Sequence, residues 1–73
     1  MLQRLGRVVA GLAERLKTRP DDPEGWVKLV RAYAVLGDTN KREATLKEAS
    51  TRYAKRPDIL DQLAKAAAAE PMR

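Results

Sequence analysis

The sequence predicts an all-α fold of about four helices packed as antiparallel hairpins, and three observations carry that prediction. Proline and glycine cluster at residues 20–23, 37–40 and 56–58, leaving four proline-poor stretches each long enough for a helix. Apolar residues within those stretches recur at spacings of three and four. The chain has three aromatic residues, Trp26, Tyr33 and Tyr53, too few for the packed faces of a β-sandwich.

The first helix is expected over Leu2 to Thr18, with Leu5, Val9, Leu12 and Leu16 on one face. The second has the best start signal: Asp22 as N-cap, Pro23 at the first helical position and Glu24 beside it, where negative charge meets unsatisfied amides. Trp26, Leu29, Val30, Tyr33 and Ala34 follow on one stripe, and Gly37 is placed to stop the helix. A third helix is expected from Thr39 or Asn40, with Asn40 and Glu43 at capping-box spacing and Leu46, Ala49, Ser50, Tyr53 and Ala54 on one face. The fourth should run from Pro57 through Ile59, Leu60, Leu63, Ala64 and Ala67 to about Glu70, where Pro71 ends it.

At 73 residues the chain holds at most one small domain. It has no cysteine and no histidine, so disulfides, thiolate chemistry, the usual zinc sites and histidine-based acid–base catalysis are all absent from its repertoire. Fifteen basic and ten acidic residues leave a net charge of +5, enough to require that nucleic acid and acidic partners be weighed. No apolar run approaches a membrane span, and the N-terminal stretch interleaves apolar residues with arginines, so no membrane contact is expected from this segment.

An internal repeat appears at an offset of 34 residues. Pro23 falls on Pro57, Glu24 on Asp58, Trp26 on Leu60, Leu29 on Leu63, Arg31 on Lys65 and Ala32 on Ala66, while Ala10 and Leu12 fall on Ala44 and Leu46. Helices one and three are therefore one type and helices two and four another. The segment PEGWVKLVRAYAVLG resembles a tetratricopeptide repeat in its Trp26, Leu29, Tyr33, Leu36 and Gly37, and Leu46 and Ala49 match the second helix of that motif. The resemblance implies one full repeat at about residues 23–56 with a flanking helix on each side, all within one domain covering 1–73. Val30 and Arg42 stand where the motif usually has small residues, which implies looser helix contact there.

A narrower likeness lies in LAERLKTRPDDPEGWVKLVRAYAVLGD, which is similar to the repeat region of the CcmI/CycH group of cytochrome c maturation proteins. That resemblance implies a piece of a longer, membrane-anchored protein whose periplasmic repeats hold apocytochrome c for haem attachment alongside the haem-ligation machinery. Location would be periplasmic if the likeness extends that far and cytoplasmic otherwise. By the same resemblance helices two and four line a peptide groove formed by Glu24, Val27, Lys28, Arg31, Ala34, Val35, Asp58, Gln62 and Lys65. The structural core is expected to comprise Trp26, Leu29, Tyr33, Leu36, Gly37, Leu46, Ala49, Tyr53, Leu60 and Leu63.

No catalytic residue, cofactor site or metal site is predicted. Asp21, Asp22 and Glu24 are explained by helix capping, and Ser50 has no histidine base. The function expected is therefore non-enzymatic protein–protein interaction. The alternative is a small basic helical protein that binds nucleic acid through Arg42, Lys47, Arg52, Lys55 and Arg56, against which stands the lack of an aromatic stacking platform. Charge follows helix type: residues 1–20 and 41–56 each carry +4, residues 21–40 carry −2 and residues 57–73 carry −1. A weak homodimer is also expected, through a terminal helix presenting Leu5, Val8 and Val9 or Ile59 and Leu63.

Overall fold

A computed structural model describes residues 2–70, with side chains from residue 7 onward. It consists of α1 (Leu2–Thr18), α2 (Pro23–Leu36), α3 (Thr39–Arg52) and α4 (Pro57–Ala67), joined by short turns at residues 19–22, 37–38 and 53–56. Turns this short force antiparallel neighbours. α2 is the centre of the molecule, packed on all three other helices; α4 also touches α3, and among the described residues α1 approaches α2 alone. These are tetratricopeptide-like hairpins: α2 and α4 run parallel in one layer, α1 and α3 in the other. The principal extents of 36 × 26 × 17 Å suit two helix layers.

The α2–α3 turn is fixed by backbone geometry. Gly37 adopts φ 75° and ψ 16°, its amide donates to the Ala34 carbonyl, and the Asp38 amide donates to the Tyr33 carbonyl. This paired closure of the last turn needs a left-handed residue, for which glycine has no steric cost. Gly37 is accordingly an exposed stop, not a core residue as the motif had suggested. Its position also corrects the next cap. Asp38, directly after the stop, accepts from the Lys41 amide at 3.2 Å, so α3 begins at Thr39 and Asn40 lies inside its first turn.

The ends of α3 and α4 differ from expectation as well. α3 closes at Tyr53, whose amide caps Ala49, and Ala54 is exposed. α4 stops at Ala67, three residues before Glu70. Pro71 has no N–H to give the Ala67 carbonyl, which would have been its helical acceptor. The Arg42 Nη1 reaches that carbonyl instead, at 3.5 Å. Arg42 thus fills the motif's small-residue position by capping the neighbouring helix, while its buried Nε has no hydrogen-bond partner.

The buried core comprises Val9, Leu16, Trp26, Leu29, Val30, Ala34, Ala49, Tyr53, Ile59, Leu63 and Ala66. Tyr33, Leu36, Leu46 and Leu60 are half-buried against it. Val30 is fully buried, so its bulk produces no loosening. Leu60, the repeat equivalent of Trp26, yields the inner place to Ile59. Leu16 and Gly25, which approach each other at the first interface, correspond by the repeat to Ser50 and Ile59, so small and large residues exchange places in the sequence. A Cβ at Gly25 would lie 3.0 Å from Leu16 Cδ2 and 2.7 Å from Asp22 Oδ2.

That crowding yields a test. Asp22 Oδ1 accepts from the Gly25 amide at 3.1 Å, and Asp22→Ala should cost about 1 kcal/mol, the usual value of an N-cap. Gly25→Ala should be destabilising in the parent and less so in the Asp22→Ala background, where the carboxylate is gone and only the Leu16 contact remains tight. A double-mutant cycle by urea denaturation reads the coupling; additive effects would show that the carboxylate moves aside freely.

Burial also removes most of the expected dimer surface. Val9, Ile59 and Leu63 are 4%, 3% and 0% exposed, because they hold α1 and α4 onto α2. Leu5 lies outside the described side chains. Val8 remains exposed, at 64%.

Candidate functional site: the cleft between α2 and α4

The turn before α2 is tied down from two sides. The Pro20 carbonyl accepts from Trp26 Nε1 at 2.7 Å and from the Tyr53 hydroxyl at 3.4 Å, so one backbone oxygen ties the α1–α2 turn to α2 and to the C-cap of α3. The Tyr53 hydroxyl also lies 3.5 Å from Asp21 Oδ1. Burial, then the nearby Asp21 charge, raises the Tyr53 phenol above its ordinary pKa. Arg52 lies over the Trp26 ring at 5.9 Å and Lys41 over Tyr33 at 6.0 Å, so each ring has a cation on its outer face.

With α2 set in this way, its open side faces α4 across a cleft of about 410 Å³ lined by Val27, Arg31, Gln62, Lys65, Ala66, Ala68 and Ala69. Ala66 is buried and forms the floor; the flanking alanines keep it shallow. Four of the sequence-predicted groove residues, Val27, Arg31, Gln62 and Lys65, come together here. Near the starts of the same helices a second lobe of about 450 Å³ is lined by Asp22, Pro23, Glu24, Arg56, Asp58, Ile59 and Gln62. Gln62 belongs to both lobes, which makes them one track.

Glu24 and Asp58 therefore sit on the track, whereas Lys28 and Val35 line neither lobe. Lys28 is exposed and paired with Glu24 at 3.6 Å. Ala34 is corrected outright: it is 2% exposed and belongs to the core. The alanines at 66, 68 and 69 were missed, since small residues on a helix give no periodic signal.

Side chains on the track are mostly available. Lys65 pairs with Asp61 at 3.0 Å along its own helix, both groups well exposed, and such pairs contribute little. Arg56 donates through Nε and Nη2 to the Asp58 carboxylate, which this bonding holds below the usual carboxylate range. The track offers donors, acceptors and apolar floor, with no nucleophile beside a base. It is suited to binding.

Of the basic residues of the nucleic-acid alternative, Lys47 and Arg52 line one depression on α3, and three have partners within the chain. Arg42 caps α4, Arg52 covers Trp26, and Arg56 pairs with Asp58.

Comparison with known proteins places this sequence beside one biogenesis factor. The chain is 45% identical over 62 residues to the cytochrome c-type biogenesis protein CycH of Bradyrhizobium diazoefficiens. The match takes in 80% of this chain and 17% of that protein, so the chain spans about one sixth of the relative's length. No family description matches the chain, and no solved structure does. The resemblance first met in the turn PDDPEGW thus extends along most of the sequence. No helix among the described residues is long and apolar enough to cross a membrane.

Proposed function

We propose that the chain is a non-enzymatic interaction module of cytochrome c maturation, which holds a segment of an apocytochrome c or of an assembly partner along the cleft between α2 and α4. The observation that carries this reading is the convergence of Val27, Arg31, Gln62 and Lys65 on one open track, in a chain 45% identical over its matched length to a cytochrome c biogenesis protein. A shallow track between parallel helices is a natural seat for a peptide, which brings its own backbone and needs only side-chain anchors.

The test is a titration of the isotope-labelled chain with a haem-free cytochrome c polypeptide, followed by amide chemical shifts. Shifts are expected at Val27, Arg31, Gln62 and Lys65, weakened by Arg31→Glu. Absence of shifts at millimolar polypeptide would remove apocytochrome c as the ligand. Sequence-selective binding of duplex DNA at physiological salt, with shifts on α3, would instead establish the nucleic-acid alternative.

A further inference from the structure

We infer that the cleft is electrostatically polarised along its length and accepts an amphipathic helix of a partner protein that runs antiparallel to α2 and α4, acidic in its first turns and basic in its last. The inference deepens the function proposed above and rests on it.

Its basis is the repeat itself. Glu24 and Asp58 occupy equivalent positions, and so do Arg31 and Lys65, seven residues further along each helix. Because α2 and α4 run parallel, like charges face each other across the track at both places. Seven residues are two turns, about 10 Å of rise. The lobe at the helix starts carries Asp22, Glu24 and Asp58 against Arg56; the other lobe carries Arg31 and Lys65 and no carboxylate.

Ion pairs among the described residues run along each wall, Glu24 to Lys28 on one and Arg56 to Asp58 and Asp61 to Lys65 on the other, and none bridges the cleft. Neither wall therefore answers the other across the cleft, and a ligand of opposite polarity can exchange with these local pairs and meet both walls at once. Such exposed pairs exchange readily, since each is worth little.

Direction follows from helix electrostatics. A helix is most stable with acidic groups at its N-terminus and basic groups at its C-terminus. Its acidic end must meet Arg31 and Lys65, which lie toward the C-terminal ends of α2 and α4, so the ligand helix runs the opposite way. The floor formed by Ala66 and flanked by Ala68 and Ala69 lets a helix come close.

Two synthetic helical peptides of the same composition test this: one with glutamates in the first two turns and lysines in the last two, the other with the charges exchanged, both with one leucine stripe. The first should bind the chain about fivefold more tightly than the second, the advantage of two exposed charge pairs, with shifts centred on Gln62. The preference should fall away at high salt and disappear in Arg31→Glu/Lys65→Glu. Both positions are exposed, so circular dichroism should show an unchanged fold, and Arg31→Lys should retain the preference. Equal affinity for the two peptides, or shifts confined to α3, would overturn the inference. If the haem-free polypeptide still moved the cleft amides, the proposed function would stand without it.

Discussion

Trp26→Ala is expected to lose about 3–5 kcal/mol of stability, the usual cost of emptying a buried large aromatic site. Trp26 is 5% exposed and its Nε1 donates to the Pro20 carbonyl at 2.7 Å, so the substitution opens a cavity and strips that carbonyl of its shorter bond. A chain of this size has a total stability of about 4–11 kcal/mol, and the variant should be largely or wholly unfolded in mild denaturant. Circular dichroism at increasing urea measures it without depending on the lost fluorophore. Trp26→Phe separates the two contributions: it keeps most of the volume and should cost about 1–2 kcal/mol through the missing donor. An unchanged midpoint for the alanine variant would mean that the ring does not join α1, α2 and α3.

Leu63→Ala should come next, at about 2–5 kcal/mol. Leu63 is completely buried where α4 meets the rest of the core. Leu60→Ala should cost about 1 kcal/mol or less, because a half-buried side chain returns little surface to water. The contrast is the useful result. The repeat register equates Leu60 with Trp26 and makes both core, whereas the packing gives the inner place to Ile59. A Leu60→Ala penalty equal to that of Leu63→Ala, in the same urea series, would show that α4 is rotated from the orientation described.

The candidate site was legible in part. Val27, Arg31, Gln62 and Lys65 were reached from the motif's positions because groove residues recur with the repeat. Lys28 and Val35 were grouped with them although neither lines the track; helix periodicity locates a face only to within about one residue, roughly 100° of rotation. The alanine floor carried no signal, since alanine suits any exposed or buried helical position equally. Three residues were placed on the expected dimer surface for a related reason: Val9, Ile59 and Leu63 are apolar whether they face a partner or the chain's own α2.

What the sequence determined by itself was whatever acts within a turn or two of chain. Asp22, Pro23 and Gly37 marked the limits of α2 because capping and left-handed closure involve residues no more than about four apart. The four helices and their hairpin order followed from the same local signals, and the 34-residue repeat from comparing the chain with itself. Tertiary structure decided what depends on neighbours distant in sequence. Ile59 is buried and Leu60 only half-buried, although the repeat equates Leu60 with the buried Trp26. α4 ended at Ala67, with Arg42 from α3 supplying a donor that Pro71 lacks. Whether two apolar residues side by side in a helix face in or out, and which free carbonyl finds a donor, is settled by the volume and reach of the side chains opposite, and those become neighbours only when the helices pack.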